Sequence, residues 1–187
     1  MAVGESASPP GSVLLTVGHG RLDEEELGGL LRGAGVELLV DVRRFPGSRV
    51  NPAVARDVLP EWLPRVGIEY AWEERLGGRR KLPDPDGQDP WWRVDAFRGY
   101  AAHTRSEEFR AALEAVLAQA RARRVAVMCS ESVWWRCHRR LVADVATLAH
   151  GFVVRHLMPD GRLAEHLPAD GARLDGDDVR WDLTGPT

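Results

Sequence analysis

Residues 124–151, RVAVMCSESVWWRCHRRLVADVATLAHG, constrain the fold more than any other stretch. An apolar run from Val125 to Met128 breaks at Cys129 into a polar segment. From Arg136 the apolar residues return at helical spacing, as Cys137, Leu141, Val145 and Leu148. The pattern predicts a buried strand, a tight loop and a helix. The loop and the first helical turn carry both cysteines together with Glu131, Trp134, Trp135, Arg136, His138, Arg139 and Arg140. Reactive and anion-binding side chains are nowhere else so dense, so part of any active site is expected here.

The rest of the chain fits around that unit. Val13–Val17 is a short β-branched run that leaves into Gly18-His19-Gly20, which reads as a buried strand and a turn. Asp23 is placed to cap a helix whose first turn is acidic and whose buried stripe is Leu27, Leu30 and Leu31. A second strand over 36–43 follows almost at once, and strand, helix, strand with short connections implies parallel pairing and a right-handed crossover. Residues 53–66 predict one or two short helices broken by Pro60 and Pro64, 68–72 an edge strand, and 81–92 a proline-rich loop. Ser106 caps a long helix leading into Val125, and 152–158 supplies a further strand. Four or five strands alternating with helices give an α/β fold, a single domain with an open, mostly parallel, Rossmann-like sheet flanked by helices. Ligands of such sheets bind at the carboxyl ends of the strands. The expected organisation is a disordered lead-in over 1–12, the α/β domain over 13–158, and a C-terminal extension over 159–187, ending near Trp181, that packs on the same domain.

Composition narrows the function. A chain of 187 residues, 44% hydrophobic and 28% charged, is ordinary globular material able to bury a sizeable core. No apolar run approaches the roughly 20 residues of a membrane span, and the small polar start lacks the apolar core of a signal peptide. Two cysteines without an export signal are expected as reduced thiols in a cytoplasmic protein. A net charge of −3 gives no global reason for nucleic-acid binding, so anion recognition must be local.

A local basic site is visible after the second strand, in DVRRFPGSRVNP (41–52). Arg43, Arg44 and Arg49 with Ser48 lie where that strand ends, on the same rim as Cys129, and Arg is suited to bidentate capture of phosphate or carboxylate. His19, Asp41 and Cys129 each fall at or just past the carboxyl end of a separate predicted strand. Three far-apart reactive side chains are thereby expected to share one crevice.

These residues also carry a resemblance. Thr16-Val17-Gly18-His19, Leu39-Val40-Asp41-Val42-Arg43 with Pro46 and Ser48-Arg49, Tyr70, Leu76-Gly77-Gly78, and Met128-Cys129-Ser130-Glu131 with Cys137-His138-Arg139 resemble the bacterial and archaeal family catalogued as domain of unknown function 488. Gly20 stands where that family commonly has Ser. The resemblance implies a fold and a site and leaves the reaction open.

Several chemistries fit the site. One is acid–base catalysis by Glu131 and Asp41 on a phosphate-bearing small molecule, a nucleotide or nucleic acid. Arg43, Arg44, Ser48, Arg49, Arg139 and His19 would then hold the anion, and Tyr70, Trp134 or Trp135 would stack on a base. A second makes Cys129 a thiolate nucleophile, activated by the helix N-terminus and nearby arginines as in phosphatases and rhodaneses. Cys137 and His138 are expected in structural roles, Cys137 packing on the helix's apolar stripe. A third reading surrounds zinc or iron with Cys129, Cys137, His138 and His19, although no cofactor is called for by the pattern. The last is a non-catalytic module that binds an anion or nucleic acid.

Overall fold

The computed structural model describes residues 13–47, 50–81, 83 and 88–183. The elements in chain order are β1 (Val13–Gly18), α1 (Glu24–Gly33), β2 (Leu38–Asp41), α2 (Leu59–Trp62), β3 (Glu69–Trp72), α3 (Asp95–Thr104), α4 (Glu107–Ala122), β4 (Val125–Cys129), α5 (Arg139–Leu148), β5 (Val153–Leu157), β6 (Leu163–Glu165), β7 (Ala172–Asp175) and β8 (Asp178–Trp181). Six strands form one sheet in the order β3-β2-β4-β1-β5-β6. The first five are parallel to their neighbours and β6 is antiparallel to β5. The fold is a single α/β domain with a mostly parallel sheet flanked by helices.

Alternation along the strands sorts the core into two layers, because successive strand residues point to opposite faces. Leu15, Val17, Leu39, Ala126 and Met128 pack against α1, α2 and the turn that follows α2. Leu14, Val40, Val127, Cys129 and Val154 pack against α3, α4 and α5. Every residue of β4 is buried, as expected for a central parallel strand covered on both sides. Among the described residues no helix is long and apolar enough to cross a membrane.

Local signals explain the helix starts. Asp23 accepts the Glu26 N–H at 2.9 Å while Glu26 accepts the Asp23 N–H at 2.9 Å, a reciprocal capping box. Ser106 accepts the Phe109 N–H at 3.1 Å and caps α4. The predicted helix after Cys129 differs at its start: residues Trp134–Arg136 form a separate 3-10 turn, Cys137 is extended, and α5 begins only at Arg139. The predicted strand over 36–43 is shorter, Leu38–Asp41. Beyond β5 the chain adds β6 to the sheet edge and then the β7–β8 hairpin, whose Trp181 is fully buried against the layer of α3 and α5.

Strand order locates the crevice. β4 returns to lie between β2 and β1, so the ends of β1 and β4 are adjacent, with Gly18 opposite Cys129. The pairing continues past the strands, with His19 N–H donating to the Cys129 carbonyl and Gly20 N–H to the Ser130 carbonyl, each at 3.0 Å. The two loops leave the sheet together, and a pocket opens where they part.

Candidate active site

The pocket has a volume of about 510 Å³, within the usual range for small-molecule sites. Its floor is made by Cys129, Cys137 and His19. Its walls include His138, Tyr100 and Phe97, and its charged lining consists of Arg43, Arg44, Arg79, Arg136 and Glu131. The described lining thus carries four guanidinium groups and one carboxylate, with Arg43 already paired to Asp41.

The two thiols meet at the floor. Cys129 Sγ and Cys137 Sγ are in direct contact, and both cysteines are free. Cys137 also accepts the backbone N–H of Arg139 at 3.5 Å and has His138 Nδ1 at 3.6 Å. Its sulphur therefore stands at the N-terminus of α5, where the helix dipole favours negative charge. Burial opposes ionisation of both thiols. At Cys137 it is outweighed by the Cys129 S–H, His138 and Arg139, and the thiol is held well below the ordinary range. At Cys129 burial is reinforced by the hydrogen bond to Cys137 and by its charge, and the thiol is pushed well up. These opposed directions favour ionisation at Cys137 over Cys129.

Cys137 was expected on the apolar stripe of a helix; the 3-10 turn delays α5, so Cys137 is an extended residue, buried in the layer of α3, α4 and α5 and lining the pocket beside Cys129.

Beneath the thiols lies Arg139, only 1% exposed. Its side chain donates to the Glu131 carbonyl and, at 3.4 Å, to Thr16 Oγ1. No carboxylate pairs with it directly among the described residues. A buried guanidinium cannot shed its proton and is costly without a countercharge, and the thiol pair supplies the nearest one. Arg139 was expected to bind an anionic ligand. Instead it is outside the pocket lining and clamps the loop between β4 and α5 from below.

Gly18 makes that clamp feasible. A Cβ there would stand 1.8 Å from the Glu131 carbonyl oxygen and 2.7 Å from Arg139 Nη2, so any side chain would push the loop away. Gly78 serves the opposite wall, where a Cβ would come within 2.9 Å of His138 Nδ1.

The other expected site residues divide into those at the pocket and those below it. Asp41 is fully buried and does not line the pocket. Its Oδ1 accepts from Arg43 N and Nε, and its Oδ2 from Arg43 Nη2 and Tyr70 Oη, at 2.6–3.0 Å. The carboxylate thereby anchors Arg43 and Tyr70 below the pocket. Arg43 reaches the pocket but also donates to the Val54 carbonyl at 2.6 Å and to His19 Nε2 at 3.1 Å. His19 Nδ1 must then carry the proton, since its partner at 3.0 Å is the Gly20 carbonyl. Burial, then Arg43, lower the His19 pKa to about 4, so the ring is neutral.

Tyr70 is committed to Asp41, and burial followed by the Asp41 charge raises its phenol far above the usual value. Trp134 stacks face to face on His156 at 4.0 Å, and Trp135 packs edge-on against Trp134. None of the three lines the pocket, so the expected base-stacking platform is not assembled there. Glu131, Cys129, Arg44 and His19 do come together at the pocket. Ser48 and Arg49 lie outside the described residues. Among the described residues no three His, Cys, Asp or Glu side chains are grouped to hold a metal ion.

The family model described as Domain of unknown function DUF488 matches residues 24–146. The chain belongs to the DUF488 family. The matched span carries Asp41, Arg43, both cysteines, Glu131 and Arg139, while Thr16, His19, His156 and His166 fall outside it. A comparison with curated proteins returns no match, and neither does one with solved structures.

Sequence reasoning placed Arg136 in the reactive loop without giving it a site role, and missed Arg79 as a pocket cation and Phe97 and Tyr100 as its apolar wall. Arg79 follows the Gly77-Gly78 turn, which read only as a turn. The α3 residues carried no signal, since their approach to the cysteines is set by packing against α4 and α5 on one face of the sheet.

Proposed function

We propose that this DUF488 protein is an enzyme that uses the Cys137 thiolate as nucleophile on a small phosphate-bearing substrate. The observation that carries the reading is the buried Arg139, whose backbone N–H meets Cys137 Sγ at 3.5 Å, whose guanidinium is acted on by the charge of both thiols, and which has no carboxylate partner among the described residues. The arrangement favours a thiolate at neutral pH, because protonating both sulphurs would leave a buried cation without direct compensation. Arg43, Arg44, Arg79 and Arg136 suit the anion of the substrate, and Glu131, exposed at the rim, suits proton transfer to a leaving oxygen. Cys129 holds the second proton of the pair. The tryptophans do not favour a nucleic-acid substrate, since Trp134 is already stacked on His156. A thiolate beside a second thiol stays unbridged in a reducing compartment, which favours a cytoplasmic setting.

The test is turnover of a panel of aryl phosphates by the full-length protein, with mass spectrometry of any adduct on Cys137. Cys137→Ser should abolish turnover without unfolding the chain. Glu131→Gln should slow it by about a hundredfold, as for loss of a general acid. Phosphate binding that persists without turnover in the wild type would favour the non-catalytic anion-binding module instead.

A further inference from the structure

Behind the thiols runs a buried line of hydrogen bonds that the proposed chemistry does not itself use. Arg139 Nη1 donates to Thr16 Oγ1 at 3.4 Å, and Thr16 Oγ1 is 2.7 Å from His156 Nδ1. His156 Nε2 is 3.0 Å from His166 Nδ1, and His166 Nε2 is 2.7 Å from Asp144 Oδ1. Asp144 is closed off by the Ala169 N–H at 3.1 Å and by Trp181 Nε1 at 2.7 Å. None of these side chains is more than 4% exposed.

The ends set the polarity of the line. A guanidinium can only donate, and an ionised carboxylate can only accept. One assignment that satisfies every link runs from Arg139 to Thr16, Thr16 to His156 Nδ1, His156 Nε2–H to His166 Nδ1, and His166 Nε2–H to Asp144. The stack of Trp134 on His156 at 4.0 Å, and its edge contact with His166 at 5.5 Å, close the line to water. It does not conduct protons to the site, because Arg139 does not give one up. What it transmits is position and charge. Asp144 is a buried acceptor held by His166 at 2.7 Å, Arg139 a buried cation with no direct carboxylate among the described residues, and the line joins them.

We infer that His156, His166 and Asp144 are positioning residues that hold Arg139 beneath the Cys129–Cys137 pair, making the segment from β5 to β8 a working part of the thiol site. Thr16 comes from β1, His156 from β5, His166 from just past β6 and Trp181 from β8. Four residues outside the family-matched span therefore join a line that ends on Arg139 within it. The inference rests on the thiolate reading of the site.

The experiment compares full-length wild type with His156→Gln, His166→Gln and Trp181→Phe. The readouts are the thiolate ultraviolet absorbance against pH and the pH profile of iodoacetamide alkylation, with the alkylated residue located by peptide mapping. In both histidine variants the Cys137 profile should move up by about one pH unit, with alkylation near neutral pH about tenfold slower. Trp181→Phe, which keeps an aromatic ring and removes only the N–H to Asp144, should move it in the same direction by less. Phe152→Leu, in the same core but off the line, should lower Tm and leave the profile unchanged. Folded histidine variants with the wild-type profile would overturn the inference. Should those variants not fold, an unshifted Trp181→Phe overturns it alone. A wild-type Cys137 that titrates as an ordinary thiol would defeat the thiolate reading itself, and this inference with it.

Discussion

Cys129 Sγ lies in direct contact with Cys137 Sγ, and Cys137 alone of the two also accepts a backbone N–H at the start of α5 among the described residues. The asymmetry predicts that the chain holds one thiolate at neutral pH and gains a second only in strong alkali. Cys129→Ala removes the S–H that stabilises the Cys137 charge and should raise its titration. Cys129→Ser keeps a hydroxyl donor and should raise it less. Thiolate absorbance against pH checks both, and equal effects of the two substitutions would remove the hydrogen bond from the argument.

The contact of Gly18 with the Glu131 carbonyl predicts a sharp difference between two glycines. Gly18→Ala must displace the loop between β4 and α5, and overpacking of this severity costs about 3 kcal/mol. Gly29, inside α1 with nothing within 4 Å of an added Cβ, should gain up to about 1 kcal/mol as Ala. Denaturant unfolding of the two variants measures this directly. Gly18→Ala, if it folds, should also lose the depressed Cys137 titration.

What the sequence made legible was local. Apolar runs marked β1, β2, β4 and β5, and the caps at Asp23 and Ser106 are contacts within a single turn. The crevice at the strand ends followed from the alternation of strands and helices. Which arginine faces the pocket did not follow, because Arg43 is held by His19 as well as by its near neighbour Asp41, and Arg139 by Thr16 as well as by the Glu131 carbonyl, and His19 and Thr16 are distant in sequence. Cys137 was hidden by a coincidence of spacing. Counted from Arg136 it is in phase with Leu141, Val145 and Leu148, yet the turn Trp134–Arg136 breaks the helix before that phase begins. The pairing of His156 with His166 depends on β6 folding back antiparallel on β5, which no periodicity in that short strand announces.

Asp41 offers a clean separation of anchor from catalyst. Asp41→Ala leaves Arg43, 7% exposed, without its bidentate partner, and breaking a buried pair in this way costs about 3–5 kcal/mol. Tyr70→Phe removes one hydrogen bond to the same carboxylate and should cost about 1 kcal/mol. Because Tyr70 stands outside the pocket, its variant should leave Cys137 alkylation at the wild-type rate. An activity loss in Tyr70→Phe at unchanged stability would return Asp41 and Tyr70 to the chemistry.

Acid should unfold this protein through its buried histidines before most carboxylates titrate. Burial, followed by Arg43, lowers His19 to about 4, and burial, followed by His166 and Arg139, lowers His156 to about 3. Both rings are neutral in the folded chain at a pH where the unfolded chain protonates them, near 6.5. Their contribution is therefore complete above about pH 6.5 and is lost as pH falls toward about 4 for His19 and about 3 for His156. Two such groups give a slope approaching about 2.7 kcal/mol per pH unit near pH 5. His103 and His150, lowered chiefly by burial, add in the same direction. His156→Gln should be less stable at neutral pH and show a slope shallower by about one proton, so that its stability curve converges on the wild type in acid. Urea unfolding from neutral pH to about pH 4.5 would test this. A slope that His156→Gln leaves untouched would mean that the ring is already protonated in the folded chain, and the line from Arg139 to Asp144 would then need the opposite polarity.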